Sequence, residues 1–208
     1  MTNKELDDFK ESFSDWDNYY RDTEVETMPW YEKNLDHDVE NEIKSNNYNT
    51  GNFLDLGTGP GTQALQLLNY NFDVTGTDIS QSAIDKAKKL SPKITFLVDD
   101  VLKSNFSDKK FDFILDRGIF HIFEISQRSQ YVKEVKRILN DNGILFLKCM
   151  SVEEKNTPDN EMPHKLSKQE IIDYFGNDFT IEKINDTFFS GNLEMNPKAL
   201  FSVLKKKS

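Results

Sequence analysis

The sequence predicts an α/β protein: a doubly wound, seven-stranded, mostly parallel sheet with helices on both faces and an N-terminal helical lid. Three observations predict it. From Asn52 onward, short apolar runs alternate with segments of helical periodicity, the pattern of right-handed βαβ units. The first run ends in Gly57-Thr58-Gly59-Pro60-Gly61 and a helical stretch follows at once. The second run ends in an acid, Asp78.

Taken in order, Asn52 to Leu56 reads as the first strand, and Ala64, Leu65, Leu67 and Leu68 recur at helical spacing behind the glycine turn. Asp73 to Thr77 is the second strand. Ser80 suits the N-cap of a helix carrying Ala83, Ile84, Ala87 and Leu90 on one face, and Pro92 closes that segment. Ile94 to Val98 and Phe111 to Leu115 are the third and fourth strands. Ser126 is expected to cap a helix with Tyr131, Val132, Val135, Ile138 and Leu139 on its apolar face. Asn140-Asp141-Asn142-Gly143 reads as a turn before a fifth strand, Ile144 to Cys149. Ser167-Lys168-Gln169-Glu170 has capping-box spacing and opens a helix with Ile171, Ile172, Tyr174 and Phe175. Phe179 to Ile184 and Ala199 to Leu204 complete seven strands.

No repeat or linker divides the 208 residues, so a single domain is expected, with residues 51–208 as core and 1–50 as a helical extension. That extension is acidic and rich in Asn. It carries Trp16, Tyr19, Tyr20, Met28, Trp30 and Tyr31, and Leu35, Val39 and Ile43 fall four apart on one helical stripe.

Composition narrows the function. Apolar residues make up 37%, enough for a core, and 26 basic against 36 acidic residues leave a net charge of -10. Such a surface repels a phosphate backbone, so nucleic acid is not the expected partner. No apolar run is long enough to span a bilayer. Met1 to Lys10 lacks the apolar core of a signal peptide, and the one cysteine, Cys149, has no partner for an internal disulfide. The expected setting is cytoplasmic, without membrane association. His37, His121 and His164 are scattered, with no ligand spacing for a metal.

Open parallel sheets bind ligands beyond the carboxyl ends of their strands, where strand order reverses. The glycine turn stands at such an end. Gly57 and Gly59 permit dihedrals and a close backbone approach that a Cβ would block. Asp78 follows about 20 residues later, where an acid accepts hydrogen bonds from ribose hydroxyls. A dinucleotide site would place its third glycine at Thr62, whereas the spacing here is G-x-G-x-G. Asp55, just before the turn, suits a cationic amine and repels a pyrophosphate. An ammonium, a ribose and an adenine together suit Asp55, Asp78 and a later acid.

On these residues the chain resembles the class I S-adenosylmethionine-dependent methyltransferases, with their Rossmann-like fold. The resemblance spans about Asn52 to Ser208. It rests on Asp55-Leu56-Gly57-Thr58-Gly59-Pro60-Gly61, Thr77-Asp78-Ile79-Ser80, Asp99-Asp100-Val101, Phe111-Asp112-Phe113-Ile114 and Val135-Lys136-Arg137-Ile138-Leu139. Met28-Pro29-Trp30, Asp116-Arg117-Gly118-Ile119-Phe120-His121 and Pro163-His164-Lys165-Leu166-Ser167 are similar to the thiopurine methyltransferase and tellurite-resistance-like small-molecule branch.

The resemblance implies S-adenosyl-L-methionine as cofactor and roles for particular residues. Asp55, Gly57, Thr58 and Gly59 would meet the methionine part. Asp78 would take the ribose hydroxyls and Ile79 the adenine face. Asp100 and Val101 would line the adenine edge, with Asp99 able to exchange roles with Asp100. Asp116 would sit beside the methyl group, and Trp30 near cofactor or acceptor. Arg117 and His121 are the catalytic candidates. Arg117 either holds an anionic substrate group or fixes a loop. His121 is either a general base or a structural residue. Cys149 reads as a small buried residue at a strand end.

The implied reaction is in-line methyl transfer to a small-molecule acceptor, a thiol or other soft nucleophile, by a monomer or weak dimer. O- or N-methylation of a small metabolite is the alternative, as is a non-catalytic S-adenosylmethionine-binding protein. Nucleobase amino methylation is disfavoured because Asp116-Arg117-Gly118-Ile119 stands where such enzymes carry Asn-Pro-Pro-Tyr. A nicotinamide oxidoreductase is disfavoured by Asp55 and Thr62.

Overall fold

A computed structural model describes residues 15–158 and 162–208. The first fourteen residues of the expected lid lie outside the described residues. Seven strands form one sheet in the order β3-β2-β1-β4-β5-β7-β6: β1 Asn52–Leu56, β2 Asp73–Asp78, β3 Thr95–Val98, β4 Phe111–Arg117, β5 Leu139–Met150, β6 Phe179–Phe188 and β7 Lys198–Lys206. β7 runs antiparallel to β5 and β6, and the other pairings are parallel. Chain order reverses between β1 and β4, so the switch point lies at their carboxyl ends.

The helices are α1 Trp16–Asp22, α2 His37–Ser45, α3 Thr62–Leu67, α4 Gln81–Ala87, α5 Ile125–Ile138 and α6 Lys168–Phe175. They cover both faces, because the parallel strands are apolar on both sides. Val39 and Ile43 of α2, Ala64 and Leu67 of α3, and Ile84 and Ala87 of α4 pack with Phe53, Phe113 and Phe146 on one face. Tyr131, Val135 and Ile138 of α5 and Ile171 and Phe175 of α6 pack with Leu54, Ile114 and Leu145 on the other. The Leu35, Val39, Ile43 stripe is buried as its spacing predicts. No described helix is long and apolar enough to cross a membrane.

Two local expectations are corrected, and one connection is added that the sequence reading left unassigned. The cap of α5 is Glu124, not Ser126: Glu124 and Gln127 form a reciprocal capping box that starts the helix two residues earlier. Asn140 to Gly143 does not end the ladder. β5 begins at Leu139 and absorbs these residues as an irregularity, with Phe111 opposite Leu139 but Phe113 opposite Ile144, and Asn142 at φ +63°. Finally, β3 and β4 are joined without an α-helix, through a 3₁₀ turn at Val101–Lys103. The caps at Ser80 and Ser167 form as the sequence predicts.

Candidate active site

The carboxyl ends of β3, β2, β1, β4 and β5, with the β6–β7 loop, open into one cavity of about 410 Å³. Leu56 and Gly57 line it from the end of β1, Asp78 and Ile79 from β2, and Asp99, Asp100 and Val101 from β3. Arg117, Gly118, Ile119, His121, Ile122 and Phe123 follow from the end of β4, and Met150 from β5. The N-terminal segment contributes Trp16, Tyr20, Pro29 and Trp30, and the β6–β7 loop Phe189 to Gly191 and Leu193.

The glycine turn takes its shape from backbone requirements. Gly57 has φ +68° and Gly59 φ +52°. A Cβ on Gly57 would run into the Ile119 side chain, and one on Gly59 would come within 2.9 Å of the Tyr20 hydroxyl. Thr58 N donates to Thr77 O at 2.7 Å, tying the turn to β2. Gly59 N donates to Asp78 Oδ2 and Ser80 N to Asp78 Oδ1, both at 2.9 Å. The Asp78 carboxyl is thus aimed by the turn and the start of α4. Burial raises its pKa to about 6, against the lowering effect of those backbone donors.

Eight of the sequence-predicted residues meet in the cavity wall: Trp30, Gly57, Asp78, Ile79, Asp100, Val101, Arg117 and His121. Ile79 is 59% exposed and so offers an open apolar face. Asp100 accepts from Leu102 N through Oδ1, and Asp99 accepts from Asn105 through its own Oδ1, so both acids of the pair face the cavity.

Four residues stand behind the wall. Asp55 is 3% exposed, and its Oδ2 accepts from Thr58 Oγ1 at 2.5 Å and Ala64 N at 3.0 Å. Its carboxylate holds the turn to α3 from behind, and does not reach an amine in the cavity. Thr58 is spent in the same contact, and Gly59 acts through its N–H on Asp78. Asp116 is fully buried and accepts from the Gly118, Ile119 and Phe120 amides and the Tyr131 hydroxyl. It clamps the loop after β4 from behind the cavity wall. Burial raises the pKa of both Asp55 and Asp116 to about 6.

The two catalytic candidates have structural employment. Arg117 donates from Nε to Asp36 Oδ2 at 2.9 Å, from Nη1 to Trp30 O at 3.0 Å and from Nη2 to Ser190 O at 2.6 Å. It therefore fixes loops, joining the N-terminal segment to the β6–β7 loop. His121 is 7% exposed, and its Nδ1 accepts from Met150 N at 2.9 Å. The acceptor nitrogen is occupied and burial pushes the pKa down to about 3, the setting of a structural residue, one of the two readings the sequence offers. Cys149 is buried, its thiol pushed up mainly by burial, as the sequence reading expects.

Sequence reasoning missed Asp36, Lys148, Phe189 and Asn192. Lys148 is fully buried, and its ammonium donates to Asp36 Oδ1 and Oδ2 and to Asp38 Oδ2 at 2.8–3.0 Å. Burial opposes ionisation of Asp36, but Lys148 and Arg117 outweigh it and hold the carboxyl low. A charged residue inside the apolar run from Ile144 to Met150, Lys148 in Leu147-Lys148-Cys149, was the available signal. Asp36, His37 and Asp38 lie close enough together to suggest a cation site, but the Lys148 ammonium already satisfies Asp36 and Asp38. Asn192 has no local signal at all. Its N donates to Pro29 O, and its Nδ2 to Glu26 O and Met28 O.

Comparisons with known proteins agree with this geometry. A family model described as a methyltransferase domain matches residues 53–143. An uncharacterized methyltransferase of Schizosaccharomyces pombe is 32% identical over 109 residues, 50% of this chain and 75% of that protein. A structure solved for work on the conversion of a disulfide bond into a thioacetal group during echinomycin biosynthesis superposes with a TM-score of 0.79 at 22% identity, covering 96% of this chain and 92% of that one. The 1,6-didemethyltoxoflavin-N1-methyltransferase of Burkholderia thailandensis, solved with its substrate and S-adenosylhomocysteine, gives 0.67 at 15%, covering 97% and 87%. With a matching domain, a relative of this identity and the strand-end cavity, the chain belongs to the class I S-adenosylmethionine-dependent methyltransferases.

Proposed function

We propose that the chain methylates a small molecule at a soft nucleophile, a thiol or similar group, within the cavity between the N-terminal segment and the β6–β7 loop. One observation carries this reading: no side chain described in the wall is placed as a free general base for the acceptor. His121 Nδ1 takes the Met150 amide. Asp116 takes three amides and a hydroxyl, and Asp55 lies behind the turn. Asp78, Asp99 and Asp100 belong to the β2–β3 half. A nucleophile that ionises by itself near neutral pH needs no proton acceptor.

The cofactor, when bound, supplies an electrophilic methyl group on a sulfonium. The residues of this chain fit it. The Asp78 carboxylate, with lone pairs left beyond its two backbone donors, accepts from ribose hydroxyls. Ile79 and Val101 offer apolar surface to the adenine, and Asp99 or Asp100 an acceptor for its amine. Gly57, at φ +68° with the Ile119 side chain packed against its Cα, keeps the turn at the end of β1 in its shape. Trp16, Tyr20 and Trp30 form an aromatic wall, with Trp16 and Tyr20 stacked at 5.9 Å between ring centroids. That wall serves as the lid, excluding water and orienting the acceptor, which can supply most of the acceleration.

The similarity to a methyltransferase of Mycobacteroides abscessus named for 2-heptyl-1-hydroxyquinolin-4(1H)-one, 28% identical over 142 residues, supports a small-molecule acceptor. So do the short motifs shared with the thiopurine and tellurite-resistance-like branch. The test is a panel of thiols, reduced selenium or tellurium species, phenols and amines with radiolabelled methyl donor at fixed enzyme. Label on thiols or selenide ahead of phenols and amines is expected. Label confined to alcohols, amines or macromolecules overturns the soft-nucleophile reading.

A further inference from the structure

We infer that the acceptor half of the cavity takes an apolar molecule without an anionic group, and that Phe189 enforces this by covering the buried cations behind it. The inference rests on the methyltransferase reading and adds the substrate's chemical class and a specificity-determining residue.

The cavity has two unlike halves. The half at β2 and β3 carries Asp78, Asp99 and Asp100. The half at β5 and the β6–β7 loop is walled by Ile119, Phe123, Met150, Met162, Phe189 and Leu193. Two cations lie at this second half, and both are matched. Lys148 has three ammonium donors and three carboxylate contacts, to Asp36 Oδ1, Asp36 Oδ2 and Asp38 Oδ2. Arg117 pairs with Asp36 and gives its Nη donors to Trp30 O and Ser190 O. Two cations against two carboxylates leave no net charge for a ligand anion to neutralise.

Phe189 stands against this cluster. Its ring centroid is 5.6 Å from Arg117 Cζ, 5.7 Å from Lys148 Nζ and 5.6 Å from the His121 ring. It lines the cavity, whereas Lys148 is fully buried. A carboxylate brought into this half would lose its water and find an aromatic face in place of a free cation, which is the costly way to bury a charge. An aromatic or alkyl body gains from the same wall.

Matched probes test this without depending on turnover. Calorimetry first measures S-adenosylhomocysteine binding. The loaded protein is then titrated with 4-methylbenzenethiol and 4-mercaptobenzoate, and with 4-methylphenol and 4-hydroxybenzoate, pairs that differ in a carboxylate. The neutral member of at least one pair is expected to bind at least about tenfold more tightly. Phe189→Ala is expected to shrink that ratio severalfold, because it takes the aromatic face away from the neutral probe and lets water reach the carboxylate. Leu193→Arg, at a 38% exposed position that tolerates a long side chain, is expected to raise carboxylate affinity. Carboxylates binding as tightly as neutral probes, or no neutral probe binding, overturns the inference while the methyltransferase reading stands. An unchanged ratio in a folded Phe189→Ala that still binds S-adenosylhomocysteine removes Phe189 from it. Failure of the wild-type chain to bind S-adenosylhomocysteine overturns the cofactor reading itself.

Discussion

At the residue scale, carboxylates of one chemical type are sorted by what surrounds them. Asp78 faces the cavity with acceptor capacity left, whereas Asp55 and Asp116 are consumed by the loops they hold. Asp78→Ala is expected to weaken S-adenosylhomocysteine binding by about 2 kcal/mol, the loss of hydrogen bonds to a charged acceptor. Unchanged affinity in a folded variant would remove Asp78 from the site. Its pKa of about 6 adds a pH signature. The ribose needs the ionised form, so affinity should be level above neutrality and fall as pH drops through about 6. Arg117 makes a separate prediction. Its side chain is 7% exposed and bonded to a fully buried Asp36. Arg117→Ala should cost about 3 kcal/mol in urea unfolding, because one buried charge is left with a single partner. A loss under about 1 kcal/mol would show the ion cluster to be dispensable.

At the element scale, the mouth of the cavity is closed by two segments far apart in sequence. Asn192 makes three hydrogen bonds to residues 26–29, and a Cβ on Gly191 would run into Pro29 O. Backbone meets backbone there, so no side chain can yield to make room. Gly191→Ala is expected to push the loop away from the N-terminal segment and raise the acceptor KM severalfold, with a smaller effect on cofactor affinity. An unaltered KM would show that this contact does not shape the acceptor half. α1 is tied down independently. Asp17 accepts from Ser82 N at 2.7 Å and from the Ser80 hydroxyl, and Lys86 donates to Thr23 O. The same α4 start that aims Asp78 therefore anchors the aromatic wall.

At the scale of the whole molecule, three buried carboxylates dominate the acid titration. Asp55, Asp78 and Asp116 have folded pKa values of about 6, raised by burial above the usual 3.8 of an aspartate. The folded chain then holds protons that the unfolded chain releases between roughly pH 4 and 6, so these groups favour folding most at the acid end of that window and least above it. Asp36 and His121 have the opposite sign: Asp36 keeps its contribution until pH falls below the ordinary carboxylate range, whereas His121, pushed down to about 3, loses part of its contribution as pH drops below about 6.5 and offsets some of the gain from the three carboxylates. The ligand-free Tm is therefore expected to be higher near about pH 5 than near about pH 8, and bound S-adenosylhomocysteine, which needs ionised Asp78, should narrow the difference. A ligand-free Tm that rises steadily to about pH 8 would contradict the raised values.

Local spacing by itself determined much of this protein. Short apolar runs marked seven strands and period-3.6 patterns most of the helices, and Ser80 and Ser167 declared their helix starts. The glycine turn, followed by Asp78 at the next strand end, located the cavity, because a parallel sheet puts those points side by side. What the sequence left open was contact between distant segments. Asp55 and Asp116 look like ligands in the one-dimensional pattern, yet in three dimensions Asp55 is taken up by the Thr58 hydroxyl and the Ala64 amide, and Asp116 by three amides within four residues. Whether Arg117 binds substrate or holds loops turned on Asp36, Trp30 and Ser190, up to 87 positions away. His121 lost the base role to one amide on β5, 29 positions later. Hydrogen-bond capacity is finite, and only the tertiary structure decides which partner uses it.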